Sequence, residues 1–156
     1  MERRIDILPA TPELLAAVAI NTREADIAEL WAAGRMTPEQ ALDMGDRFSN
    51  ALVAVVDGEP ICAFGVTPIS AATGLGAPWL VGTTRLDRYA TMFIRRCRPS
   101  LQAVLGDWLN LVNYVDARNA RAIRWLSWLG FTIHPTIPYG PFNLPFHPFT
   151  LEGHHV

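Results

Sequence analysis

The chain has 156 residues, half of them hydrophobic and 18% charged, which suits one domain with a substantial core and excludes an intrinsically disordered chain. Its longest near-continuous apolar stretch, Leu14 to Ile20, is too short to span a bilayer, and the opening Glu2-Arg3-Arg4 lacks the apolar core of a secretory signal, so neither membrane association nor export is expected. All 13 cationic residues are arginine, which excludes Schiff-base, phosphate-loop and nucleophilic lysine chemistry, while Cys62 and Cys97 offer neither metal-ligand spacing nor a disulfide framework.

The net charge of −2 conceals a division. Residues 1–59 hold 5 arginines against 11 acids, whereas residues 60–156 hold 8 arginines against 4 acids. Arg85, Arg88, Arg95, Arg96 and Arg98 fall in one short segment, which reads either as a solvated helix face or as an anion or nucleic-acid contact. An acidic chain is a poor candidate for a dedicated nucleic-acid binder.

Arg3 to Leu8 alternates as a first strand would, ended by Pro9. Thr11-Pro12-Glu13 then supplies a helix cap, a first helical position and a dipole-favoured acid. Leu14, Leu15, Val18, Ile27 and Leu30 give an apolar side to one or two helices that stop near Gly34. Thr37-Pro38-Glu39-Gln40 repeats the start signal as a capping box, and Leu42, Met44 and Phe48 give that helix something to bury. The apolar runs Ala51–Val56 and Ile61–Val66 flank Asp57-Gly58, a strong hairpin signal, because a type I′ turn needs positive φ at both central residues. Ser70 to Gly76 reads as a small-residue loop in which Gly74 and Gly76 are turn residues, and Ala77 to Gly82 as a short strand.

After Thr84 the period becomes helical, with Leu86, Tyr89, Met92 and Phe93 on one face, and Pro99 is expected to break or restart the helix before Gly106. Trp108 to Val115 reads as a buried strand, Asp116 to Leu129 as a helix closed by Gly130, and Phe131 to Ile137 as a further strand. Residues 1–134 then form one domain and residues 135–156 a proline- and aromatic-rich extension. Its prolines exclude a helix and any central strand, so Tyr139, Phe142, Phe146 and Phe149 either pack back onto the domain or dock a partner.

The order β-α-α-β-β-β-α-β-α-β implies an α/β (α+β) plan, a mixed sheet with helices on both faces. Asn-Ala-Arg-Ala-Ile-Arg-Trp-Leu-Ser-Trp-Leu-Gly-Phe, from Asn119 to Phe131, resembles the last helix of the GNAT N-acetyltransferase superfamily, in which an Asn opens the helix and Gly-Phe turns into the next strand. Over Ala77 to Phe131 the chain looks like the GNAT-like proteins of short-tailed bacteriophages, of the podoviral internal virion protein A type. The resemblance implies a GNAT-like, mostly antiparallel sheet, with Asn119 as a cap and Phe131 starting a strand beneath the helix.

It also says where the family's chemistry should lie. The coenzyme A diphosphate is cradled between the fourth strand and the following helix, here Gly82-Thr83-Thr84-Arg85-Leu86-Asp87-Arg88. Only Gly82 is a glycine, and Leu86 and Asp87 bring a β-carbon and a negative charge, so Gly82, Thr83, Thr84, Arg85, Arg88 and Asn119 read as a vestigial cofactor site. The family's acid is a Tyr seven residues after the helix-opening Asn, a position held by Leu126, while nothing in the sequence places Tyr114 or Tyr139 there. Its base is a strand Glu, but Ala77 to Thr84 holds no carboxylate, Asp57 and Glu59 flank a turn, and a lone His134 reads as structural. His147, His154 and His155 lack partners for a metal site, and Cys97, between two arginines, reads as a partly buried filler.

Two expectations follow. One is a non-catalytic GNAT-fold virion protein with no cofactor, present in the particle and in the host cytoplasm during assembly. It would contact portal, tail or internal core proteins, or copies of itself, through Arg85, Arg88, Arg95, Arg96, Arg98 and the aromatic extension. The alternative is an acetyl-coenzyme-A-dependent N-acetyltransferase with a divergent cofactor loop.

Overall fold

A computed structural model describes residues 3–152. The elements, in chain order, are β1 (Ile5–Pro9), α1 (Pro12–Ile20), α2 (Glu24–Gly34), α3 (Pro38–Phe48), β2 (Leu52–Val56), β3 (Glu59–Ser70), β4 (Leu75–Gly82), α4 (Leu86–Gly106), β5 (Asn110–Asp116), α5 (Ala120–Trp128), β6 (Thr132–Ile133), β7 (Ile137–Tyr139) and β8 (Leu144–Glu152). The strands form one sheet in the order β1-β2-β3-β4-β5-β8-β6, with β7 also paired to β8. Every pairing is antiparallel except β4 with β5.

The local signals act as their chemistry requires. Thr11 caps α1, and Thr37 and Gln40 close a reciprocal capping box on α3. Asp57 and Gly58 both hold positive φ, 50° and 84°, in the two-residue turn between β2 and β3. Helices cover both faces: α4 buries Phe93, Ile94 and Cys97 against Ala54, Cys62 and Phe64, while Leu15, Val18 and Leu42 pack on Val53, Ala63 and Val81 opposite. A third cluster joins Leu111, Val115, Phe131 and Phe149 beneath α5.

Four expectations are corrected. Pro99 does not break α4, which runs unbroken for 21 residues. Pro99 lies on the solvent side, where water can serve the carbonyl it leaves unpaired, while Phe93, Ile94, Cys97 and Leu101 hold the other side to the sheet. α2 is inverted: Ile27 and Trp31 are exposed, whereas Asp26 and Ala32 are buried. Asp116 ends β5 rather than opening a helix.

The extension contains an interior strand, because β8 lies between β5 on one edge and β6 and β7 on the other. Its prolines fit because the donors they lack fall in gaps of the ladders. Pro148 turns its carbonyl to His134 N–H, in the break between β6 and β7, and Pro145 turns its own to Ala117 N–H, beyond the end of β5. Phe146 and Phe149 are therefore buried and unavailable to a partner, Tyr139 is half-buried, and Phe142 is exposed beneath the Arg35 guanidinium. His154 and His155 lie outside the described residues.

Candidate functional site

The parallel pair β4 and β5 is joined at two positions only, Leu75 with Asn110 and Gly76 with Leu111, and beyond them the strands part. Asn113 spans the start of the opening: its amide donates to the Pro78 carbonyl at 2.8 Å and its side-chain oxygen accepts the Tyr114 N–H. Further along β4, Gly82 N–H turns away from β3 to the Asp26 carboxylate at 2.7 Å. Backbone direction alternates along an antiparallel strand, so Leu80, midway between Pro78 and Gly82, also turns its N–H and C=O into the gap.

The gap opens into a cavity of about 510 Å³ that passes through the sheet. Leu101, Leu105, Trp125 and Leu126 line it on the α4–α5 side, and Met36, Met44, Phe48 and Trp79 on the α2–α3 side. That volume and its mostly apolar wall suit a small-molecule ligand. Tyr114 is on the wall and stacks at 4.2 Å on Tyr139, whose hydroxyl is raised above its ordinary pKa by burial.

α2 carries two carboxylates into the open end of the gap. Asp26 serves β4 through Gly82 N–H, and Glu29 Oε1 accepts Asp116 N–H at the end of β5, at 2.8 Å. Asn119 Nδ2 donates to both carboxylates, each at 3.3 Å. Asn119 therefore stands at the head of α5 without capping it, since its side chain is engaged by α2. Burial raises Asp26 and pushes Glu29 up to about 7, only partly opposed by the Asp116 N–H and the Asn119 amide in the case of Glu29. Both bonds to Glu29 fall on Oε1, which leaves Oε2 without a partner among the described residues.

Arg23, 5% exposed, locks this arrangement. Its guanidinium donates to Asn119 Oδ1 at 2.8 Å and to Asp87 at 3.2 Å, lies over the Trp125 ring, and keeps Nε 3.5 Å from Asp26 with no hydrogen bond. Sequence reading missed Arg23, Asp26 and Glu29. Their spacing of three places them along one helix side, but charges at that spacing ordinarily mark a solvated face.

The turn between β4 and α4 does not fit a diphosphate. Gly82 N–H goes to Asp26, Thr83 N–H to Ile61 O, Thr84 N–H to Asn21 O, Arg85 N–H to Thr83 Oγ1 and Leu86 N–H to Thr83 O. A β-carbon on Gly82 would lie 2.5 Å from Leu86 Cδ2 and 3.1 Å from Arg23 Cδ, so this glycine makes room for the chain's own atoms. Arg85 pairs with Glu59, Arg88 lies over Tyr89, Arg96 donates to the Arg3 carbonyl, and Arg98 reaches the Trp128 carbonyl and ring, while Arg95 is exposed. The suggested Arg85–Arg98 cluster is thus dispersed along α4 rather than gathered at one anion. His134 and His147 are tied to Thr150 and to the His134 carbonyl, and Cys97 is buried with its thiol pushed up.

No protein-family model and no curated protein matches the sequence. Solved structures match over nearly the whole chain. Ard1 from Thermoplasma volcanium superposes with a TM-score of 0.71 at 18% identity, covering 94% of this chain and 96% of that one. Spermidine N-acetyltransferase from Vibrio cholerae, solved with CoA and spermine, gives 0.70 at 10% identity over 96% and 95%. A GNAT-family acetyltransferase from Streptococcus pneumoniae gives 0.64 at 15% identity over 95% and 98%. The fold is that of the GNAT acetyltransferases. At these identities the likeness reaches no further than the fold. None of the three is a virion protein, so they add nothing to the phage resemblance.

Proposed function

We propose that the chain is an N-acyltransferase that takes its acyl group from a pantetheine thioester, a broader form of the acetyl-coenzyme-A-dependent N-acetyltransferase raised as the alternative by the sequence. The observation that carries this reading is the through-sheet cavity between β4 and β5, with the inward-turned amide of Leu80 on its edge and the Glu29 carboxyl at its open end. The Leu80 N–H and C=O suit an amide-bearing arm paired as an added strand. Such a thioester supplies an activated acyl carbon.

The chain's residues would handle the protons. An amine substrate reaches the acyl carbon as its neutral form, and Glu29 Oε2, on a carboxyl poised near 7, receives the proton that the nitrogen loses. A carbon–nitrogen bond forms, the carbon–sulfur bond breaks, and the sulfur departs as a thiol, its proton given by Tyr114 on the same wall. The apolar walls exclude water, which would otherwise compete for the acyl group.

The test is thiol release from acetyl-pantetheine and acetyl-coenzyme A with a panel of primary amines, together with calorimetry of each thioester. Release whose acidic limb lies near pH 7 and disappears in E29Q supports the reading. No heat from either thioester at millimolar concentration defeats it. A second reading, a GNAT-fold protein acting only by surface contacts as in a phage particle, is favoured by the occupied turn N–H groups and by Leu126, and that silent calorimetry is the result it requires.

A further inference from the structure

We infer that the acyl donor is recognised by its pantetheine arm and not by a nucleotide diphosphate, and that the arm is presented by an acidic carrier protein. This rests on the acyltransferase reading and concerns how its donor is held. The cavity that would take the arm is open, but the backbone donors of the two connecting turns that flank its mouth are filled from within. At the head of α4 the backbone N–H groups of residues 82 to 86 already have acceptors in the chain. At the head of α5, Asn119 N–H goes to Asp116 O and Ala120 N–H to Arg118 O. Between the two helices stand the Arg23 guanidinium and the Asp87 carboxylate, and Asp87 also bridges to Arg121 at 3.2 Å. A diphosphate entering here would find the donors of residues 82 to 86, 119 and 120 already taken and would face a carboxylate. Helix N-termini bind anions only where their N–H groups remain free.

The outer rim has the opposite character. Arg85, Arg88, Arg118, Arg121 and Arg124 are all exposed on the first two turns of α4 and α5 or just before them, and the Asp87–Arg121 bridge shows that these helix starts adjoin. Glu59, Asp116 and Asp87 answer Arg85, Arg118 and Arg121, which leaves Arg88 and Arg124 without a carboxylate partner among the described residues. Guanidinium forks suit carboxylates and single phosphates alike. A rim of this kind complements an acidic helical surface bearing a phosphopantetheine prosthetic arm, whose one phosphodiester stays outside the filled turn. On transfer the carrier would keep its arm as the free thiol while the amine becomes the amide.

The test compares binding by calorimetry of acetyl-pantetheine, acetyl-coenzyme A and the acetylated holo form of a type II acyl carrier protein, with its apo form as control. Acetyl-coenzyme A should bind within about threefold of acetyl-pantetheine, and the acetylated carrier at least about tenfold more tightly than either, weakening as salt rises. In R88E/R124E the ratio of carrier to acetyl-pantetheine affinity should fall by about tenfold. Acetyl-coenzyme A binding more than tenfold tighter than acetyl-pantetheine would show that the diphosphate is read, and a carrier no tighter than acetyl-pantetheine would remove the partner. Either result overturns this inference while leaving the acyltransferase reading intact. Silence from all three ligands overturns both.

Discussion

Glu29→Gln isolates the electrostatic cost of placing a carboxyl at the mouth of the cavity. The amide oxygen of Gln can accept the same N–H groups, from Asp116 and Asn119, so the substitution removes the ionisation and keeps the contacts. Burial, with the Asp26 and Asp116 charges adding to it and the Asp116 N–H and Asn119 amide opposing it, raises Glu29 from 4.5 to about 7, and Arg118 is the cation that feels its charge. The folded protein therefore holds this proton more tightly than the unfolded chain. Its stability falls as pH climbs from 4.5, where the unfolded carboxyl ionises, and levels off above about 7. Integrated over that window the loss is at most about 3 kcal/mol. E29Q should match the parent protein at pH 5 and exceed it at pH 8, by up to about 1 to 2 M in urea midpoint. Urea unfolding of both proteins at the two pH values measures it. An offset that is the same at pH 5 and pH 8, or a variant less stable at pH 8, would refute the placement of Glu29 as a half-buried carboxyl whose charge the folded protein disfavours.

Arg23→Ala leaves Asp26 and Asn119 without their buried cation and should destabilise the fold by about 3 to 5 kcal/mol in the same assay. Gly140→Ala should remove about 2 to 4 kcal/mol, because φ is +74° there and the new β-carbon would lie 2.2 Å from the Ala32 carbonyl oxygen. Thr37→Ala, which opens the capping box of α3, should lower stability by about 1 kcal/mol. Tyr114→Phe should lower the acyl-transfer rate by about 10²-fold with little change in thioester binding if its hydroxyl protonates the departing sulfur; an unchanged rate would take that role from Tyr114.

Much of the molecule follows from short-range chemistry. The Thr11 and Thr37 caps, the Asp57-Gly58 turn and the apolar face of α4 each depend on residues within a turn or two of one another, and each forms where its residue pattern places it. The element order carries the sheet's layout with it, and with that the GNAT-like fold.

The site needed contacts between residues far apart in the chain. Glu29 and Asp116 are remote in sequence, as are Arg23 and Asn119, and no period along α2 says that its charged side faces inward. Only the parting of β4 from β5 leaves strand-end N–H groups that draw Asp26 and Glu29 into the protein, and their burial then displaces Ile27 and Trp31 to the surface. The interior strand of the proline-rich extension is hidden from the sequence for a related reason. A proline's missing donor is damaging only where a partner strand awaits it, and the breaks opposite Pro145 and Pro148 exist only once β5, β6 and β7 are in place around β8.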